Sequence, residues 1–185
     1  MDSKTLCLGV LQMGDASGYE IKKVFEEGVL SLIHHTSFGS IYPALSRLVE
    51  EGLAVCTEMP QDKRPDKKVY SITPKGREAL VAALQEPPAR DKHRSDFLFI
   101  LMFGHLVPAA HLRRLVEDRI AWYRETLARI EQCDPTDLPP SGQLFHGLGR
   151  AVFAAAAAYL EENKGLLDEP AKPADAVERA PALVE

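Results

Sequence analysis

Along most of the chain, apolar residues recur in steps of three and four, and only one stretch alternates, so the pattern predicts helices around a single β-segment. Residues 4–13 are densely apolar and stop at Gly14, which predicts a short buried helix. Ser17-Gly18-Tyr19-Glu20 has the form of a capping box: a serine hydroxyl accepts from the backbone N–H three residues on, and a glutamate reaches back. A second helix follows, with Tyr19, Ile21, Val24 and Phe25 as its apolar contacts, and ends near Gly28. After a connector at 29–36, Phe38, Ile41, Leu45, Leu48 and Val49 share one face of a third helix that Gly52 stops. Proline lacks an N–H and is tolerated near a first turn, so Pro43 puts the start of this helix between Ser37 and Ser40. Residues 53–59 and 68–73 read as two strands, and the polar, proline-punctuated stretch 60–67 as a long hairpin tip. Thr73-Pro74 then supplies an N-cap and a first-turn proline for a helix running to about Gln85.

Glu86-Pro87-Pro88 breaks the pattern, and the polar segment up to Arg94 reads as a boundary. Beyond it the spacing predicts a short, very apolar helix at 95–105. A long helix opening at Pro108 and ending at Asp134-Pro135 follows, then another at roughly 142–167. The chain thus divides into residues 1–86, 95–167 and 168–185, the last Pro-, Ala- and Glu-rich without apolar period and read as a flexible tail. The fold class expected is mostly α with an α+β N-terminal part: a winged helix-turn-helix domain followed by a helical dimerisation domain.

Three helices and then a hairpin is the layout that lets a third helix enter a major groove while a wing lies along the DNA backbone. At 100° per residue, the face opposite Ile41, Leu45 and Leu48 carries Gly39, Ser40, Pro43, Ser46, Arg47 and Glu50, with Tyr42 at the flank. Ser40 and Tyr42 can donate to phosphate, and Arg47 can grip a guanine edge or a phosphate.

Charge changes this picture. The 185-residue chain has a net charge of −5, the wrong sign for a DNA binder, so any basic surface must be local. It is: residues 63–77 hold six Lys or Arg (Lys63, Arg64, Lys67, Lys68, Lys75 and Arg77) against Asp66 alone. On its own that cluster fits a solvated turn as well as a phosphate contact; following a helix with a small outward face, it points to DNA.

The motifs Ser17-Gly18-Tyr19-Glu20-Ile21, the block Gly39 to Leu53, and Lys68-Val69-Tyr70-Ser71-Ile72-Thr73-Pro74-Lys75-Gly76-Arg77 resemble the PadR family of bacterial transcriptional regulators, over about the first 85 residues. The resemblance implies a homodimer that binds a pseudo-palindromic operator in double-stranded DNA, usually as a repressor. Its DNA contacts would fall on Ser40, Tyr42, Pro43, Arg47, Lys63, Arg64, Lys67 and Lys68. Asp66 departs from the more uniformly basic wing of the family, and the inducer is left open.

The two long C-terminal helices suit dimerisation, with Leu112, Val116, Tyr123, Leu127, Leu148, Val152, Ala155 and Tyr159 as the candidate face; packing of the two helices on each other is the alternative. Phe99, Phe103 and Trp122 fit either an ordinary core or a pocket for a small-molecule effector, in which Arg113, Arg114 or Arg119 would hold an anion. His34-His35 and Cys56 read as connector and inert strand residue, and Gly147-Leu148-Gly149 is no dinucleotide fingerprint. With no nucleophile–base pair, metal-ligand set, phosphate loop or membrane-length apolar run, an enzyme, a metal site, a cofactor and a membrane partner are not expected. The three scattered cysteines and the lack of a secretion signal point to the cytoplasm. The competing functions are a winged-helix protein-interaction module and a transcriptional activator of the same fold.

Overall fold

The computed structural model of the chain describes residues 1–27, 29–33, 38–61, 64–92 and 94–168. These fall into two compact units that divide after Asp91, within the segment read as a boundary.

The first unit begins with α1 (Ser3–Met13), whose first turn is capped by Asp2 accepting from the Thr5 N–H. A two-residue strand, β1 (Ala16–Ser17), leads directly into α2 (Gly18–Glu26). After a 3₁₀ turn at Val29–Leu32 comes α3 (Phe38–Glu50), then the hairpin of β2 (Ala54–Gln61) and β3 (Arg64–Ile72), then α4 (Pro74–Gln85). The sheet is antiparallel with order β1-β3-β2.

One apolar core organises this unit. Cys7, Leu8, Val10 and Leu11 of α1 meet Ile21 and Phe25 of α2, Ile41, Ala44, Leu45 and Leu48 of α3, Ala54, Tyr70 and Ile72 of the sheet, and Leu80 of α4. The core differs from the sequence pattern at two places. Tyr19 stands exposed on α2, and Val49 lies at the margin of α3 while Ala44 takes the buried position. Burial pushes the Cys7 thiol up to about 11, as expected for a group that loses hydration when ionised.

The ends of α3 are set by local chemistry. Pro43 lies in the second turn rather than the first, so it cannot donate to the Gly39 carbonyl and one helical hydrogen bond is forfeited. At the other end Gly52, with φ of +70°, adopts the left-handed conformation that a side chain resists. The Leu53 N–H then reaches the Leu48 carbonyl at 2.8 Å and the Gly52 N–H the Val49 carbonyl at 3.0 Å, the paired bonds of a Schellman cap.

The hairpin is longer than the sequence suggests. The expected tip, 60–67, is largely strand, and only residues 62–63 lie between β2 and β3. Pro60 and Pro65 are accommodated because the ladder is irregular there. Met59 pairs with Lys67 and Gln61 with Arg64, leaving one more residue on β3 than on β2 between these pairs. The tie from β1 to β3, through Ala16↔Tyr70 and Ser17↔Val69, has no sequence signature at all.

The second unit contains α5 (Asp96–Met102), α6 (Ala109–Glu131) and α7 (Pro140–Asn163), with 3₁₀ turns at Gly104–Leu106, Pro135–Asp137 and Lys164–Asp168. Its small core is Phe97, Val116 and Ile120, with Leu101, Leu115, Leu160 and Leu167 packed against it. Among the described residues no helix is long and apolar enough to cross a membrane. Residues 169–185, most of the expected tail, and His34-His35 lie outside the described residues.

Thr73 caps α4 by accepting from the Gly76 N–H at 3.0 Å, and a Cβ at Gly76 would stand 2.0 Å from the Leu53 carbonyl oxygen. A backbone atom cannot swing away as a side-chain tip does. Gly76→Ala is therefore expected to destabilise the first unit by about 1–3 kcal/mol, seen as a lower urea midpoint in circular dichroism; an unchanged midpoint would refute the close approach.

Candidate nucleic-acid interface

The outer side of α3 follows from its inner side. With Ile41, Ala44, Leu45 and Leu48 turned into the core, the helix must present Gly39, Pro43, Ser46, Arg47 and Glu50 to solvent. Ser40 is half-buried. Tyr42 is 45 % exposed, and its ring lies against the start of α2: a Cβ at Gly18 would meet Tyr42 Cε1 at 2.6 Å. The glycine of the Ser-Gly-Tyr-Glu motif thus leaves room for an aromatic ring on α3.

The Ser17 cap is complete in both directions. Ser17 Oγ accepts from the Glu20 N–H at 3.3 Å, and Glu20 Oε2 accepts from the Ser17 N–H at 2.8 Å and the Ser17 hydroxyl at 2.7 Å. The other carboxylate oxygen, Oε1, accepts from the Lys67 ammonium of β3 at 2.8 Å. The three bonds to the carboxylate, with Lys67 the largest influence, hold the Glu20 carboxyl down at about 2.

Of the six cations that make the 63–77 stretch basic, the structure finds three already engaged within the fold. Lys67 holds Glu20. Lys68 faces Glu58, its direct cross-strand neighbour, at 3.5 Å and stays 61 % exposed. Lys75 donates to the Glu51 carbonyl at 2.8 Å, where a cation complements the C-terminal end of α3. Lys63 lies outside the described residues, and of Arg64 the structure describes the backbone alone. The basic cluster of the sequence is thus partly a set of internal struts. Neither the role of Gly18 nor the pairing of Glu20 with Lys67, 47 residues apart, could be read from spacing. An unexplained glycine inside a helix start was the available hint for the first.

The other candidate residues lie in the second unit. Leu112 and Val116 are buried in that unit's own interior, and Tyr123 and Leu127 are half-buried. On α7, by contrast, Leu148, Val152, Ala155 and Tyr159 are exposed, and Leu144 continues their stripe. The aromatic residues fall into two groups. Phe99 and Phe103 pair with each other, ring centroids 4.9 Å apart. Trp122 packs with Tyr123 and Phe153, and the Arg119 guanidinium lies over Phe97, Trp122 and Tyr123 at 4.7, 5.1 and 5.8 Å. Arg113 instead pairs with Asp168 and donates to the Leu167 carbonyl.

Comparison with known proteins fits this arrangement. Residues 7–82 match the transcriptional regulator PadR-like family. The negative transcriptional regulator PadR of Bacillus subtilis (strain 168) is 34% identical over 129 residues, 69% of this chain and 70% of that protein. The crystal structure of a PadR-like transcriptional regulator from Bacillus cereus superposes with a TM-score of 0.72 at 28% identity, covering 90% of this chain and 98% of that one. Bacillus subtilis PadR in complex with operator DNA has the same fold, with a TM-score of 0.69 at 23% identity over 89% of this chain and 98% of that one. A winged helix-turn-helix built on these motifs, together with a relative of this identity and coverage, shows that the chain belongs to the PadR-like family of transcriptional regulators.

Proposed function

We propose that the chain is a repressor that binds a pseudo-palindromic operator in double-stranded DNA as a homodimer. The observation that carries this reading is the outward side of α3, where Pro43 and Arg47 are exposed beside half-exposed Tyr42, on a helix whose other side is locked in the core. An α-helix fits a major groove about 12 Å wide, and small residues at its N-terminal end allow close approach to base edges. In this reading Ser40 and Tyr42 position the helix on phosphate, Arg47 reads a base edge or a phosphate, and Lys63, Arg64 and Lys68 follow the backbone. Repression is supported by the name of the curated Bacillus subtilis relative.

Affinity for the DNA upstream of the chain's own gene, followed by fluorescence anisotropy, is expected to fall steeply with rising KCl. Arg47→Ala is expected to weaken it by about 1–3 kcal/mol. Binding indifferent to both changes would sink the DNA-binding reading.

The second half-site requires a second copy of α3. The exposed stripe of Leu144, Leu148, Val152 and Tyr159 on α7 supports a homodimer built through this helix, with Ala155 permitting close approach. Leu148 and Val152 are 64 % and 55 % exposed, so charging them leaves the unit's own core intact. Leu148→Glu with Val152→Glu is expected to give a monomer in sedimentation with unchanged circular dichroism; a dimer that survives would move the interface elsewhere.

We place the contact for a small-molecule effector at Trp122, where neighbouring rings offer stacking and Arg119 offers a cation. Phe99 and Phe103 form a separate pair and are assigned no part in it. Trp122 is the chain's single tryptophan, so an aromatic anion bound there should quench the native fluorescence. A panel of such compounds that leaves the emission untouched at millimolar concentration would remove this assignment.

A further inference from the structure

We propose that Glu20 and Lys67 form a strut that sets the wing against the recognition helix, and that Lys67 is a positioning residue rather than a phosphate contact. The inference rests on the DNA-binding reading above. Three observations lead to it.

First, the Glu20 carboxylate is fixed before Lys67 arrives. Its Oε2 is held by both the N–H and the hydroxyl of Ser17, so Oε1 is presented in one direction and receives the ammonium at 2.8 Å. An ordinary surface pair loses much of its value in ordering two long side chains, whereas here one partner is already ordered by the helix cap.

Second, the pair sits just past the end of the backbone support that β1 gives β3. The ladder from β1 holds β3 at Val69 and Tyr70. Lys67 lies two residues further toward the tip, and its partner across the hairpin is Met59, next to the irregular register at Pro60. The Glu58–Lys68 pair joins the two wing strands to each other; the Glu20–Lys67 pair joins the wing to α2.

Third, the same turn bears on the recognition helix. Gly18, between Ser17 and Glu20, is the surface on which the Tyr42 ring rests. One short segment therefore touches the DNA-facing tyrosine on one side and ties the wing on the other. A wing held at a fixed angle to α3 meets phosphates without first losing conformational freedom, which is how preorganisation raises affinity.

The test uses the full chain with Glu20→Gln, Lys67→Gln and the double variant. Glutamine keeps the capping-box bond to Ser17, so α2 still starts correctly. Each single variant is expected to weaken binding to the upstream DNA about two- to fivefold. The double variant should be no weaker than either single one, and the slope of affinity against salt should stay that of the parent. Hydrogen exchange of the amides of residues 57–59 and 66–68 should quicken in all three, whether or not DNA is bound. The proposal is overturned if Lys67→Gln alone lowers the salt slope by about one counterion while Glu20→Gln leaves binding unchanged or tightens it. It is equally overturned if exchange in the wing does not change. If the parent chain shows no salt-dependent DNA binding, the DNA-binding reading fails, and the exchange measurement still decides the strut.

Discussion

The inner side of α3 is the constraint from which the rest of the first unit follows. Ile41, Ala44, Leu45 and Leu48 are almost wholly withdrawn from water, against α1, α2 and the sheet. Burying such side chains contributes roughly 1.5–3 kcal/mol each for the larger ones, far more than any surface ion pair in the unit. That burial fixes the rotation of the helix about its axis, and the rotation decides which residues face outward. Arg47 and Pro43 are on the outer side because Leu45 and Leu48 cannot be.

Polar contacts then refine what burial has placed. The Schellman cap at Gly52 ends α3 and turns the chain into β2, while Lys75 and Thr73 return from beyond the hairpin to the carbonyls of Glu51 and Gly52. Lys4 reaches Glu51 as well. The C-terminal end of α3 is thus held from several directions. The Ser17–Glu20 turn plays the corresponding part on the other side, joining α2, β3 and the Tyr42 ring. In a chain of net charge −5, three of the six cations at 63–77 are engaged within the fold. Among the described residues, the basic cluster of the sequence therefore also serves as a set of ties within the first unit.

The second unit shows the opposite balance. Its core is small, and long apolar residues line the outside of α7. A helix with Leu144, Leu148, Val152 and Tyr159 in water carries a face that its own unit does not cover, which is the physical basis for reading it as an assembly surface.

The sequence by itself determined whatever depends on near neighbours. Both caps that it spelled out, Ser17-Gly18-Tyr19-Glu20 and Thr73-Pro74, form as written, because each is closed within four residues. Helical periodicity placed the buried face of α3, and the motif blocks resembled the family to which the chain belongs. Tertiary structure decided whatever depends on residues far apart. It drew β1 onto β3, lengthened the hairpin past its prolines, and turned Tyr19 outward. It split the candidate dimer residues into buried Leu112 and Val116 and exposed Leu148 and Val152, although all four have the same apolar character. It also converted Lys67 from one cation among six into the partner of a glutamate 47 residues away. Periodicity reports that a residue lies on an apolar or a polar face. Which surface that face meets is fixed only when the chain closes on itself, because burial and ion pairing depend on the partner as much as on the residue.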